Sequence, residues 1–103
     1  MVKIVRISKE EAKRRLGDVP DAKRFWCHDG KIIKNLREFG KALDDMSDET
    51  FRYHLGGSRN DFSKWVREVV GDEELADDLG KAKSRIEAGR AVAHRISFLG
   101  RKV

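Results

Sequence analysis

Apolar residues recur along this chain at helical spacing, broken at short intervals by residues that cap or stop helices. Ser8 followed by Glu11 predicts a capped helix running to Leu16, ended by Gly17 and Pro20. Asn35 with Glu38 opens a second helix, whose Leu36, Phe39, Leu43 and Met46 fall on one face. Ser47 starts a third, with Asp48 and Glu49 in its first turn, where carboxylates favour the positive helix end. Phe51, His54 and Leu55 share one side of it before Gly56-Gly57 ends it. Asn60 caps a fourth, with Phe62, Trp65, Val66 and Val69 inward, and Gly71-Asp72 closes it and starts the next. Two regions read as strands. Val2–Ile7 alternates and is rich in β-branched residues. Asp29-Gly30 between Phe25–His28 and Lys31–Ile33 predicts a β-hairpin with a type I′ turn, which needs positive φ at both turn residues.

From Leu75 the spacing changes. Leu75, Leu79, Ala82, Ile86, Gly89, Ala93, Ile96 and Gly100 recur as a heptad seam. A continuous helix over 73–99 would be about 40 Å long. Ser84 with Glu87 forms another capping box, so the pattern favours a break near Ser84. Residues 73–83 then fold back on the Phe62–Val69 helix, and Ile86, Ala93 and Ile96 remain to meet a partner. The expected fold is an α-rich α+β domain: a short N-terminal strand and a β-hairpin, a bundle of four to six helices, and a long C-terminal helical arm.

With 103 residues the chain makes one domain, 1–103, with one modest core. Charged residues are 40% of it, well above the usual quarter or so. Their distribution matters more than their number. Residues 1–78 carry sixteen basic side chains against seventeen acids, a near-neutral body. Residues 79–103 carry Lys81, Lys83, Arg85, Arg90, Arg95, Arg101 and Lys102 against Glu87 alone, so the whole excess of +5 belongs to a basic C-terminal arm. Such a chain reads as a binder of polyanions. Cations scattered round a helix suit phosphate contact and not base reading, which makes all seven candidate nucleic-acid-binding residues and the binding sequence-tolerant. Trp26 and Tyr53 sit off their elements' apolar faces beside Arg24 and Arg52, and are the candidate positions for stacking nucleobases.

The leading expectation is therefore a small basic, non-enzymatic protein associated with nucleic acid, either RNA or ribonucleoprotein, or DNA. The alternative is a protein-interaction module whose seam docks through Ile86, Ala93 and Ile96 onto a partner helix or a second copy. Cys27 is the single cysteine, so no internal disulfide forms, and a reducing, cytoplasmic setting fits. Neither a membrane-spanning run nor a signal-peptide core is visible. The absence of Gln and the scarcity of Asn, Met and Cys, beside abundant charge, match a heat-adapted protein. Cys27, His28 and His54 lack metal-ligand spacing, so no metal and no cofactor is expected. A His54–Asp61 pair has no accompanying nucleophile or phosphate-cradling loop. It reads as a half-buried histidine bonded to a carboxylate or backbone group across the Gly56-Gly57 turn.

Phe25 to Lys83 resembles a small, mainly archaeal helical domain family of unassigned function. The likeness is carried by Asp29-Gly30-Lys31, by Leu36 through Leu43, and by Met46-Ser47-Asp48-Glu49-Thr50-Phe51-Arg52-Tyr53-His54. It continues through Asn60-Asp61-Phe62, Trp65, Gly71-Asp72-Glu73 and Leu75-Ala76. The resemblance implies a compact, mostly helical domain, alone or attached to larger proteins, and brings no reaction and no ligand.

Overall fold

The computed structural model describes residues 6–103, so the strand expected over Val2–Ile7 lies outside them apart from Arg6 and Ile7. Six helices and two short antiparallel strand pairs follow one another. They are α1 (Lys9–Leu16), β1 (Phe25–Trp26), β2 (Ile32–Ile33), α2 (Leu36–Asp45), α3 (Asp48–Tyr53), β3 (Leu55–Gly56), β4 (Arg59–Asn60), α4 (Asp61–Trp65), α5 (Glu73–Lys81) and α6 (Arg85–Gly100). This is the helix-rich α+β architecture the pattern predicts, with its long C-terminal helix.

Side-chain caps set the helix starts. Ser8, Asn35, Ser47, Asn60, Asp72 and Ser84 each accept the backbone N–H three residues on, at 2.8–3.1 Å. Each satisfies one of the amides that a helix start leaves unpaired. The break at Ser84 is therefore real, and it resets the helical phase. In α5 the buried residues are Leu75, Ala76 and Leu79; in α6 they are Ala88, Val92, Arg95 and Leu99. The single heptad seam does not exist: Ile86 and Ala93 face solvent and Ile96 is half-buried. α6 lies antiparallel along α2, with Gly40 facing Val92 and Ile96, and Gly89 facing Asp44.

Three local features depart from expectation. The hairpin pairs Phe25 with Ile33 and Trp26 with Ile32, and Cys27 N–H donates to the Lys31 carbonyl. Three residues are left for the loop, and only Gly30 takes positive φ. The Gly30 N–H donates to the Cys27 carbonyl at 2.9 Å, as in a type I turn followed by a left-handed glycine, and type I′ is ruled out. A second hairpin, unforeseen, pairs Leu55 with Asn60 and Gly56 with Arg59 around Gly57, whose φ is +58°. Finally, α4 widens into a π turn over Val66–Val70, and the Gly71 N–H reaches back to the Val66 carbonyl at 2.7 Å. The extra residue in that turn rotates the face, so that Val70 is buried where Val69 was expected.

The core sits where α2, α4 and the first hairpin meet. Phe25, Phe39 and Phe62 stack at 5.5–6.5 Å between centroids, and Trp65 presents an edge to Phe25 and Phe39. Burying each such ring stabilises the fold by about 1.5–3 kcal/mol. Among the described residues, no helix is long and apolar enough to cross a membrane.

Candidate nucleic-acid interface

The seven cations of the C-terminal segment do not act together. Arg95 points inward and is almost fully buried. Its Nε donates to Asp72 Oδ2 at 2.9 Å, its Nη1 to Glu74 at 3.3 Å, and its guanidinium lies 4.9 Å from the Phe98 ring centre. Arg15, from α1, donates to the same Asp72 oxygen at 3.1 Å. Asp72 itself exposes no surface, and its other oxygen caps α5. Burial pushes its carboxyl up. The hydrogen bonds from Arg95 and the Leu75 N–H, with the charges of Arg95 and Arg15, outweigh that and hold it below the ordinary carboxylate range. Arg85 is also committed: Nη1 donates to the Leu43 and Asp44 carbonyls at the end of α2, and Nε to Asp48 at 3.1 Å. Arg95 and Arg85 therefore leave the phosphate-contacting set, because each satisfies groups inside the fold.

Lys81, Lys83, Arg90, Arg101 and Lys102 remain exposed, and among the described residues none of them forms an ion pair. Arg90, His94, Ser97 and Arg101 recur along the outward face of α6. At the end of that helix the structure adds cations that the sequence reading missed. Lys9 shares a shallow depression with Phe98, Arg101 and Lys102. Lys13 and Arg37 line an adjoining one with Gly100 and Val103. Neither depression has an acidic side chain in its lining, and five cations from three parts of the chain converge on one end of α6. Lys9 and Lys13 are one helical turn apart, the local trace in the sequence of the cations that α1 adds to this surface.

Both stacking candidates are exposed, Trp26 on β1 and Tyr53 at the end of α3, and no contact joins them among the described residues. Trp26 is 72% exposed and Tyr53 54%, whereas Phe25, Phe39, Phe51, Phe62 and Trp65 are buried. Tyr53 lies against the His28 ring, 3.7 Å between centroids and 15° from parallel. The next residue, His54, is buried against Phe25 and Phe62. Its Nε2 accepts the His28 N–H at 3.1 Å, so the ring proton sits on Nδ1 and is donated to Asp61 Oδ2 at 2.9 Å. Both nitrogens are occupied, and the pair is a structural clamp of the kind expected. Cys27 points inward, and burial raises its thiol above the usual range. Among the described residues no group of His, Cys, Asp and Glu gathers in a way that could hold a metal ion.

Fold and surface together define a small helix-rich α+β domain with a basic flank. The chain belongs to the family of unknown function DUF5752, whose model matches residues 18–87. The match takes in both hairpins and α2 to α5, and leaves α1 and most of α6 outside it. A comparison with curated proteins found no match, and one with solved structures found none either.

Proposed function

We propose that this is a non-enzymatic, sequence-tolerant nucleic-acid-associated protein that grips phosphates with the basic surface at the α1–α6 end. The observation that carries this reading is the convergence of Lys9, Lys13, Arg37, Arg101 and Lys102 without an acidic side chain among them. Arg90 extends the surface along α6, and Lys81 and Lys83 add charge near its start. Exposed side chains from α1, from α2 and from the residues after α6 make point contacts to a backbone and no bidentate reading of base edges, so affinity comes from released counterions. The target is RNA or ribonucleoprotein, or DNA, in the cytoplasm of a heat-adapted archaeal cell. The single buried thiol and the scarcity of thermolabile residues support that setting.

Titration against labelled duplex DNA at several salt concentrations tests the proposal. If about four phosphates are contacted, log affinity falls with log salt at a slope of about −3.6. A slope near zero, or no binding at about 50 mM salt, rejects it. A protein-docking role is the second reading, favoured by one observation: Ile86 is 58% exposed on α6.

A further inference from the structure

We infer that the depression formed by Lys9, Phe98, Arg101 and Lys102 seats one unpaired nucleotide, its base against Phe98 and its phosphate among the three cations. The inference rests on the phosphate-binding reading above and specifies what that surface prefers, a strand with an unpaired base over a fully paired one.

Two cations lie over the Phe98 ring. The Arg95 guanidinium is 4.9 Å from its centre and the Lys102 ammonium 5.0 Å. They are not equivalent. Arg95 is held by Asp72 and Glu74 and belongs to the fold. Lys102 follows α6, is exposed, and forms no ion pair among the described residues. An exposed ammonium over a ring is worth less than a base stacked on it. A base can therefore displace Lys102, whose charge is then released to the phosphate that arrives with the base. Arg95 stays against the ring, so the seat is ordered before anything binds and loses less affinity to entropy.

Charge and shape together select the ligand. The depression has a volume of about 350 Å³, at the lower end of small-ligand sites. Lys9, Arg101 and Lys102 line it with no acidic side chain among them, so three positive charges share it without a counterion. A phosphate supplies that counterion and a base supplies the planar face for Phe98. An acidic peptide segment supplies the charge and lacks the planar face. A paired base inside a duplex is covered by its stacked neighbours, whereas an unpaired one can turn a face to an aromatic ring.

The test titrates the full chain with two labelled DNA duplexes built from strands of equal length, about 12 nucleotides each. One is blunt, and the other ends in a single unpaired adenine nucleotide on each strand. The parent should bind the overhung duplex at least about fivefold tighter, the low end of what stacking one base is worth. Phe98→Leu keeps the apolar bulk and offers no π face, and should bring the two affinities within about twofold of each other. Phe98→Tyr should keep the preference. Charge reversal at Lys9 and Arg101 should weaken binding of both duplexes. Equal affinities in the parent, with salt-dependent binding intact, overturn the seat and leave the phosphate reading standing; this comparison decides the question even where a variant fails to fold. A preference that survives in Phe98→Leu also overturns the seat. No binding of either duplex by the parent removes both readings. If polyglutamate of matched charge binds as tightly as the overhung duplex, the depression takes acidic chains and the nucleotide seat is wrong.

Discussion

Arg95 Nε lies 2.9 Å from the Oδ2 of Asp72, and Arg15 reaches the same oxygen from the other side. Asp72 belongs to the family-matched segment, whereas Arg15 and Arg95 lie outside it. One buried carboxylate thus ties both flanking helices to the common body. Asp72→Ala would leave two guanidiniums without their counterion and remove the cap of α5. It should cost about 3–5 kcal/mol, which is a fall in Tm of at least about 12 °C for a domain near this size. Arg95→Met should cost less, because Asp72 keeps Arg15 and the Leu75 N–H. Thermal melts of the two variants check the order.

The same site makes stability depend on acid. The Asp72 carboxyl is held low in the fold, so between its folded value and the unfolded value of about 3.9 the unfolded chain binds more protons. Its contribution is complete above the unfolded value and disappears as the pH falls through the folded one. Urea midpoints from pH 6 to pH 2 should show the parent and Asp72→Asn separated by a constant gap above about pH 5, narrowing below about pH 4. A gap that stayed constant down to pH 2 would show that Asp72 is not the titrating group.

Helix caps are legible in the sequence, whereas contacts between distant residues are not. Ser8, Asn35, Ser47, Asn60 and Ser84 cap where their spacing predicts, because a cap needs only its own next three residues. The phase of α6 was lost for the opposite reason: the heptad count ran across Ala82–Ser84, where the chain leaves the helix. Nothing local marks Arg95 as buried, since its partner Asp72 lies 23 residues away. Lys9, Lys13 and Arg37 are unremarkable surface cations until folding brings α1 and α2 to the end of α6. Gly57 signalled a turn, but two-residue strands carry too few side chains to show a period.

Arg85 and Arg90 are separated by less than two turns, yet they should respond in opposite ways to charge reversal. Arg90→Glu should lower nucleic-acid affinity and leave Tm within about 2–4 °C, since exposed substitutions cost within about 0.5 kcal/mol. Arg85→Glu should lose the hydrogen bonds to the end of α2 and repel Asp48, at a cost of about 1–3 kcal/mol. Melting and salt-dependent binding measured on both proteins separate the two roles.

Trp65 combines packing with one directed bond. Its ring sits 5.8 Å from both Phe25 and Phe39, and Nε1 donates to the Lys23 carbonyl at 2.8 Å. Trp65→Ala should cost about 3–5 kcal/mol. Trp65→Phe should keep most of the packing and lose the bond, for about 1–2 kcal/mol. Chemical unfolding of both variants gives the split.

Ile86 and Ile96 lie on one seam in the sequence and in different environments in the fold. Ile86 is 58% exposed at the start of α6, whereas Ile96 is half-buried and its Cδ1 would lie 3.8 Å from a methyl group placed on Gly40. A carboxylate at position 96 must be desolvated against α2, and Ile96→Asp should destabilise by about 2 kcal/mol or more. Ile86→Asp should change stability by no more than about 0.5 kcal/mol. Light scattering on Ile86→Asp then bears on the docking reading alone. Loss of an oligomer seen in the parent, with melting unchanged, would favour it. A monomeric parent unaffected by the substitution would leave Ile86 as an isolated exposed side chain, which needs no partner to explain it.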